Sequence, residues 1–513
     1  MTKGLFMRLN RLTVAGVAAI AALSVLVGCT PSPPNETGTT TGTTNGAATT
    51  LTAGFTLEPA TLDLTVSDAA SIPQVLLYNV YETLIKQDAS GAIKPLLATD
   101  YEVSTDGLKY TFHLDPKATF ASGTPVNAEA VKSSIERMRT ATNNTIVSSM
   151  AIISSVEAKD TRTVVITLSR PSNLWVYDMT STAGVIIDPA ATDLATAPMG
   201  SGPYMYDTWV QGDRVTLKKN PSYWGTPGRF EHVVFRYIPD PNAMVSAMLS
   251  GDIDLIGELT SPDSLNQFSD TAKYQIIEGS SNAEVVLGFN HSRETLSNLK
   301  VRQAINYAID RQALVNTAWG GKGQLIGSMD VPTDAYYEDL SNTYPYDPDK
   351  ARQLLADAGY ASGLTLALRI PIAPYTTPAA QFIASELAQV GVTVTIEELD
   401  FTRWLTDVYL GGNYDMTIVS HVEARDITRW ASPDYYWHYD NPAFQALLTK
   451  ADQEPRDQFI TDMKAAAKIL ADDAAADFLF MFPNLIVARV GITGIPENLV
   501  TLSFDVTTIA AKG

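Results

Sequence analysis

The stretch "NVYETLIKQDASGAIKPLLATDYEVSTDGLKYTFHLDPKATFASGTPVNAEAVKSSIERM", Asn79–Met138, carries much of the architectural information. In its middle, "LKYTFHL" (Leu108–Leu114) alternates apolar and polar residues directly after the turn "STDG" (Ser104–Gly107). Period-two alternation after such a turn predicts a half-buried strand. Similar β-rich runs follow at residues 163–169 ("TVVITLS"), 232–238 ("HVVFRYI"), 364–370 ("LTLALRI") and 392–399 ("VTVTIEEL"), all dense in β-branched and aromatic side chains.

Helices are interleaved with these strands. In "YDPDKARQLLADAGY" (Tyr346–Tyr360), Asp347 is placed to cap, Pro348 suits the first helical position and Gly359 terminates. Ala351, Leu354, Leu355 and Ala358 then form one apolar stripe. "LKVRQAINYAIDRQALV" (Leu299–Val315) repeats the pattern through Val301, Ile305, Ala308 and Ile309. Strand and helix signals mixed along the whole chain predict an α/β or α+β body. Residues 51–513 are too many for one simple core, so two or three domains are expected.

The N-terminus fixes the compartment. Lys3, Arg8 and Arg11 precede an uncharged apolar run from Thr13 to Cys29. This is the layout of an export signal, and it is short for a spanning helix, which needs roughly 20 apolar residues. "LVGC" (Leu26–Cys29) resembles a bacterial lipobox, which implies cleavage after residue 28 and lipid attachment to Cys29. Cys29 is the only cysteine in the chain, so no intramolecular disulfide and no cysteine-based metal cluster can form. Residues 29–50 are rich in Thr, Gly and Pro and poor in apolar side chains. They cannot bury enough surface to offset their ordering entropy and are read as a tether with an r.m.s. reach of roughly 25 Å.

The formal net charge is −20, and removing the basic signal makes it more negative. That balance argues against nucleic acid as a partner. Catalytic constellations are scarce. The five histidines (His113, His232, His291, His421, His438) show no HExxH spacing. "SNLK" (Ser297–Lys300) has the Ser-x-x-Lys form of an acyl-transfer site, but its Lys-Thr-Gly and Ser-Asp-Asn partners are missing. Ser297 or Asn298 is better read as a helix cap. "WGGKGQ" (Trp319–Gln324) lacks Walker A spacing. No enzyme, cofactor or metal is expected.

The order of motifs resembles family 5 of the extracytoplasmic solute-binding proteins, the peptide/nickel class of ABC importers. "PATLDL" (Pro59–Leu64) is similar to the family's opening motif, with Leu64 in place of Pro. Asn79–Met138 follows its longest signature, with Ala130 where an acid is usual. Gly200–Gly225, Ala247–Leu255, Leu287–Val315, Tyr346–Tyr360 and Tyr439–Ala451 follow in the same order. Most of these residues are read as scaffold. Gly200, Gly202 and Pro203 suit a tight turn, and Tyr223 and Trp224 suit packed rings with bonded polar ends.

The resemblance implies a periplasmic-binding-protein-like clamp, mixed α/β, with two main lobes and an inserted small domain. Domain I would comprise residues 51–81, 193–281 and 485–513. Domain II would be an insertion at 82–192, and domain III would run over 282–484. A hinge would close the lobes over a solute. The implied protein is a monomer, lipid-anchored at the extracytoplasmic face of the cell membrane, that hands its solute to ABC permease subunits.

The resemblance also places the ligand loop at "YDMTIVSHVEARD" (Tyr414–Asp426). Tyr414 and Asp415 match the relatives, Ser420 and His421 replace Gly-Trp, and either Glu423 or Asp426 stands for the acid that pairs with a peptide ammonium. A carboxylate there can take a charge-assisted bond from an amine, and Arg425 or Arg429 can grip a carboxylate in bidentate fashion. Leu57 and Glu58 lie where an extended ligand can pair with backbone, as in β-augmentation. Trp404 can wall a side-chain pocket, and His421 and Val422 complete the set. The expected solute is a di- or oligopeptide. The alternatives are a metal chelate, a glycan fragment or an opine-like acid on the same fold, or a sensor or cell-wall lipoprotein with no transport role. The competing structural reading pairs Glu423, Arg425 and Asp426 with one another on a solvated loop.

Overall fold

A computed structural model describes residues 49–512. The signal, lipobox and Cys29 assignments, and all but the last two residues of the tether, lie outside the described residues.

Three sheets organise the chain. The first has seven strands in the spatial order Tyr204–Val210, Arg214–Lys219, His232–Tyr237, Thr50–Phe55, Leu255–Ile256, Asn484–Arg489 and Tyr274–Gly279. Thr50–Phe55 sits mid-sheet and pairs in parallel on both sides, Ala53 against Phe235 and against Leu255. Leu51, Ala53 and Phe55 are buried on one face, while Thr50 and Thr52 on the other are half-buried. The second sheet has five strands: Val392–Leu399, Leu364–Pro371, Met416–His421, Glu284–Phe289 and Ala476–Met481. The third is a four-stranded antiparallel sheet of Ala98–Val103, Lys109–Leu114, Thr163–Leu168 and Ile153–Ala158.

Lys109–Leu114 has the expected alternation, with Tyr110, Phe112 and Leu114 buried. One hydrophobic core joins the four-stranded sheet to the seven-stranded one, and a further cluster lies against the larger sheet around Met244 and Val487. Separate clusters cover the two faces of the five-stranded sheet. The chain crosses between the two large sheets at residues 280–283 and 482–483. These crossings are laced together: Phe482 N donates to Ala283 O (2.9 Å) and Ser281 Oγ donates to Phe482 O (2.6 Å). Two adjacent, short, hydrogen-bonded crossings are the geometry of a hinge.

Local chemistry sets most element ends. The helix Pro348–Asp357 begins as expected, with Asp347 Oδ1 accepting from Lys350 N at 2.9 Å, and the chain turns at Gly359 with φ 93°. Asn298 caps Leu299–Ala308 by accepting from Lys300 N (3.0 Å). The apolar stripe expected to run through Leu299–Val315 is in fact broken. Ile309 is extended (φ −109°, ψ 118°), and Asp310 caps a second helix, Arg311–Ala318, through Ala313 N. A strong N-cap inside a periodic run wins over the periodicity.

The motifs read as scaffold are scaffold. Tyr223 Oη and Trp224 Nε1 donate to the two oxygens of Glu82 (2.6 and 3.0 Å). Burial pushes the Glu82 carboxyl up to about 7, against the lowering effect of these bonds. Gly202 is required by close approach, since a Cβ there would lie 2.4 Å from Asn79 O.

Candidate functional site

A cavity of about 420 Å³ opens between the two lobes. One wall comes from the five-stranded-sheet lobe: Phe401, Trp404, Leu405, Tyr409, the end of the strand Met416–His421, and Val422, Glu423, Asp426, Arg429 and Tyr435. The other wall is Asp68, Asn144, Thr145 and Ser148.

The loop after His421 is shaped by its charges. The chain leaves the sheet at Val422, which is 47% exposed. It reverses at Arg425, whose φ of 64° is left-handed and uncommon for a side chain of this size. It re-enters as the turn Asp426–Ala431. Asp426 is therefore buried, with Oδ2 3.5 Å from His421 Nδ1, and His421 Nε2 shares a 3.0 Å hydrogen bond with Tyr436 Oη. Glu423 stays half exposed and pairs with Arg429 at 2.5 Å. Arg425 leaves the cavity and lies 3.7 Å over the Tyr177 ring, a cation–π contact between the loop and the segment that follows the inserted sheet.

Beneath the loop is an aromatic bed. Trp430 and Trp437 stack with centroids 3.8 Å apart and planes at 8°. Gly288 makes room for them, because a Cβ there would sit 2.7 Å from Trp437 Nε1. Trp404 is buried and donates Nε1–H to Thr417 Oγ1 (3.0 Å). These rings pack together beneath the loop and bury Trp430, its inner end.

Behind the bed lies a cluster of buried acids. Glu284 stands opposite His421 in the strand register. Burial, and then Asp426, Asp334 and Asp330, hold its carboxyl well above the usual range. Burial and Asp334 likewise push Asp330 up to about 8. A carboxyl whose pKa is raised on folding binds its proton more tightly in the folded state, so it makes stability fall as pH rises from its unfolded value, about 4, to its folded one. Unfolding free energy measured by urea melts is expected to fall between pH 5 and pH 8. Asp330→Asn is expected to flatten that slope; an unchanged slope would show that Asp330 does not contribute to it.

The opposite wall is fixed by one side chain. Asn143 Nδ2 donates to Leu64 O (3.0 Å) and Ser67 O (2.8 Å), while its Oδ1 accepts from Thr145 N and Ile146 N. It thus caps the helix Asn144–Ala151 and clips the 64–68 loop beside it. Asn143→Ala is expected to cost about 2–3 kcal/mol, a lost cap plus two lost hydrogen bonds. Hydrogen exchange should show both the loop and the helix start opening together; protection retained in the loop would contradict this.

Comparison with known proteins places this geometry. The family of bacterial extracellular solute-binding proteins, family 5, matches residues 92–444. The chain belongs to that family. The glutathione-binding protein GsiB of Escherichia coli K12 is 32% identical over 342 residues, covering 64% of this chain and 66% of the relative. Among solved structures, AgaA from A. tumefaciens R10 in complex with agropinic acid is 27% identical, with TM-score 0.75 over 90% of this chain and 99% of its own. The ABC transporter substrate-binding protein CtaP of Listeria monocytogenes superposes with TM-score 0.80 at 22% identity, over 91% of this chain and all of its own. The fold is the mixed α/β two-lobed clamp of periplasmic binding proteins with an inserted subdomain.

In this family 5 protein, the structure gathers Trp404, His421, Val422, Glu423, Asp426 and Arg429 around one cavity. Three other expected residues lie off it. Leu57 is 67% exposed and outside the lining. Glu58 is occupied elsewhere, accepting from Trp209 Nε1 (2.7 Å) and Gly212 N (2.9 Å). Arg425 is turned to Tyr177 by its left-handed backbone. Mutual pairing of Glu423, Arg425 and Asp426 does not occur; each finds a different partner. The second wall carried no sequence signal. Among the described residues, no group of three or more His, Cys, Asp or Glu side chains is arranged to hold a metal.

A second cavity, about 800 Å³, lies between the inserted sheet and the end of the helix Pro442–Gln453. While Glu423, Asp426 and Arg429 line the smaller cavity, the larger one adjoins the charged loop through Tyr177, which lines it and carries Arg425 on its ring. Its edge is a dense interlobe contact: Asp452 accepts from Arg170 (2.5 Å), Ser172 Oγ (2.7 Å) and Leu174 N (2.9 Å).

Proposed function

We propose that this protein is the solute-capturing component of an ABC importer, held at the extracytoplasmic face of the membrane through lipidated Cys29, and that its solute is a small zwitterion. The observation that carries the reading is the Glu423–Arg429 pair. Both side chains are close to half exposed, at 45% and 42%, and both line the interlobe cavity. The pair leaves Arg429 with further donors for a ligand carboxylate, and the carboxylates of the lining outnumber its one guanidinium, which gives a ligand ammonium its counter-charge. A cavity near 420 Å³ is in the range of small-molecule sites. It favours a short peptide or an amino-acid conjugate over a long peptide. The glutathione named for GsiB and the agropinic acid bound to AgaA point the same way: small charged solutes, peptide or not.

In this reading residues 51–81, 193–281 and 485–513 form one lobe, 282–484 the other, and 82–192 the insertion. Closure about the laced crossings brings Asp68 and Asn144 over the charged loop and presents a closed surface to the permease. Thermal-shift titration with dipeptides, glutathione, hexapeptides and neutral disaccharides tests the class. Stabilisation by one or more of the small zwitterions alone is expected, amounting to about 2.7 kcal/mol at a hundredfold excess over Kd. Stabilisation only by the hexapeptides or the disaccharides would overturn it.

A further inference from the structure

We infer that the solute's ammonium is anchored by Asp68, on the wall facing the loop, and not by a loop carboxylate alone. The inference deepens the zwitterion reading and rests on it. It follows from an inventory of charge. Three carboxylates line the cavity, Asp68, Glu423 and Asp426, against one guanidinium, Arg429. Two of the three are committed. Asp426 is 3% exposed and held beside His421. Glu423 lies 2.5 Å from Arg429. Asp68 is exposed and forms no hydrogen bond or ion pair among the described residues.

Most exposed carboxylates are simply hydrated. Asp68 differs in two respects. It stands in a cleft whose lining carries surplus negative charge, where low-dielectric walls focus the field on an incoming cation. Its backbone is also fixed in advance. Ser67 O, next to it, accepts from Asn143 Nδ2 at 2.8 Å, and Thr65 O accepts from Thr142 N (2.9 Å) and Asn143 N (3.0 Å). An anchor ordered before binding loses little entropy on contact. Asp68 also belongs to the other lobe: the residues around it, Leu64 and Ile72, pack in the core of the seven-stranded sheet, while the loop packs in a core of the five-stranded sheet. A solute with its carboxylate on Arg429 and its ammonium on Asp68 therefore spans the cleft and holds both lobes, so the charge pattern of the solute itself selects for closure.

Calorimetric titration of the wild-type protein and of Asp68→Asn, Asp68→Glu and Glu423→Gln tests this. The probes are glutathione, methionyl-leucine and glycyl-glycine, each with a free and an N-acetylated amine. The wild type is expected to prefer the free amine of at least one pair by roughly ten- to a hundredfold, the worth of one charged hydrogen bond. Asp68→Asn should bring that ratio near one while leaving the acetylated form and the melting temperature unchanged, and Asp68→Glu should restore part of it. A preference retained in Asp68→Asn, or abolished by Glu423→Gln alone, overturns the assignment and leaves the zwitterion reading intact. Wild-type protein that binds none of the free-amine probes overturns both.

Discussion

Replacing Arg311 by Met is expected to cost about 3–5 kcal/mol of unfolding free energy. Arg311 opens the helix Arg311–Ala318 and is 8% exposed. Its guanidinium donates to Ile326 O (3.3 Å), Phe478 O (3.3 Å), Ser341 O (2.5 Å) and Tyr344 O (3.1 Å), and stands 3.8 Å from Asp477 Oδ1. It pins the irregular 326–344 segment against the strand Ala476–Met481. Asp477 is fully buried, and neither of its oxygens has a hydrogen-bond partner. Burial already pushes its carboxyl up to about 6, with Arg311 acting against that shift. Removing the cation leaves a buried acid unopposed and four carbonyls short of a donor, which is why breaking such a pair is far more costly than the pair is worth. Equilibrium denaturation measures it; a loss under 1 kcal/mol would show that the site relaxes around the deletion.

Arg429→Ala is expected to weaken binding of a zwitterionic solute by roughly a hundredfold or more, about 3 kcal/mol. The variant loses the donors for a carboxylate and leaves Glu423 without its 2.5 Å partner, so it raises the negative charge of the cleft as well. A solute with an amine and no carboxylate should therefore lose far less affinity, or gain some. Glu423→Gln in the same background should add less than its separate effect, because the two residues act as a pair. Calorimetry on the four members of this cycle gives the coupling directly. Equal losses for solutes with and without a carboxylate would reject the role given to Arg429.

The fold was legible in the sequence where the signal is local. Asp347, Pro348 and Gly359 mark a helix because capping and turning are properties of a few adjacent residues. Leu108–Leu114 alternates because one face of its strand is buried. The break at Ile309–Asp310 was masked, since Asp310 caps as locally as Asp347 does but no proline or glycine marks the boundary and the apolar spacing continues through it. The site was half legible. The loop announced itself by charge, but which charges meet depends on the left-handed turn at Arg425, which puts Arg429 on Glu423 and buries Asp426 beside His421. Asp68 and Asn144 are more than 270 residues from that loop in the sequence. They line the same cavity only because two parts of the fold with separate cores pack side by side, and no pattern in one sequence encodes that distance.

The proposed solute is a small zwitterion captured between the two lobes. Native mass spectrometry of the protein purified without denaturation tests it most directly. One solute per chain is predicted, a short peptide or amino-acid conjugate carrying both an amine and a carboxylate, present in the wild type and absent from Arg429→Ala. A neutral glycan or a long peptide, or the same solute retained in full by Arg429→Ala, would contradict it.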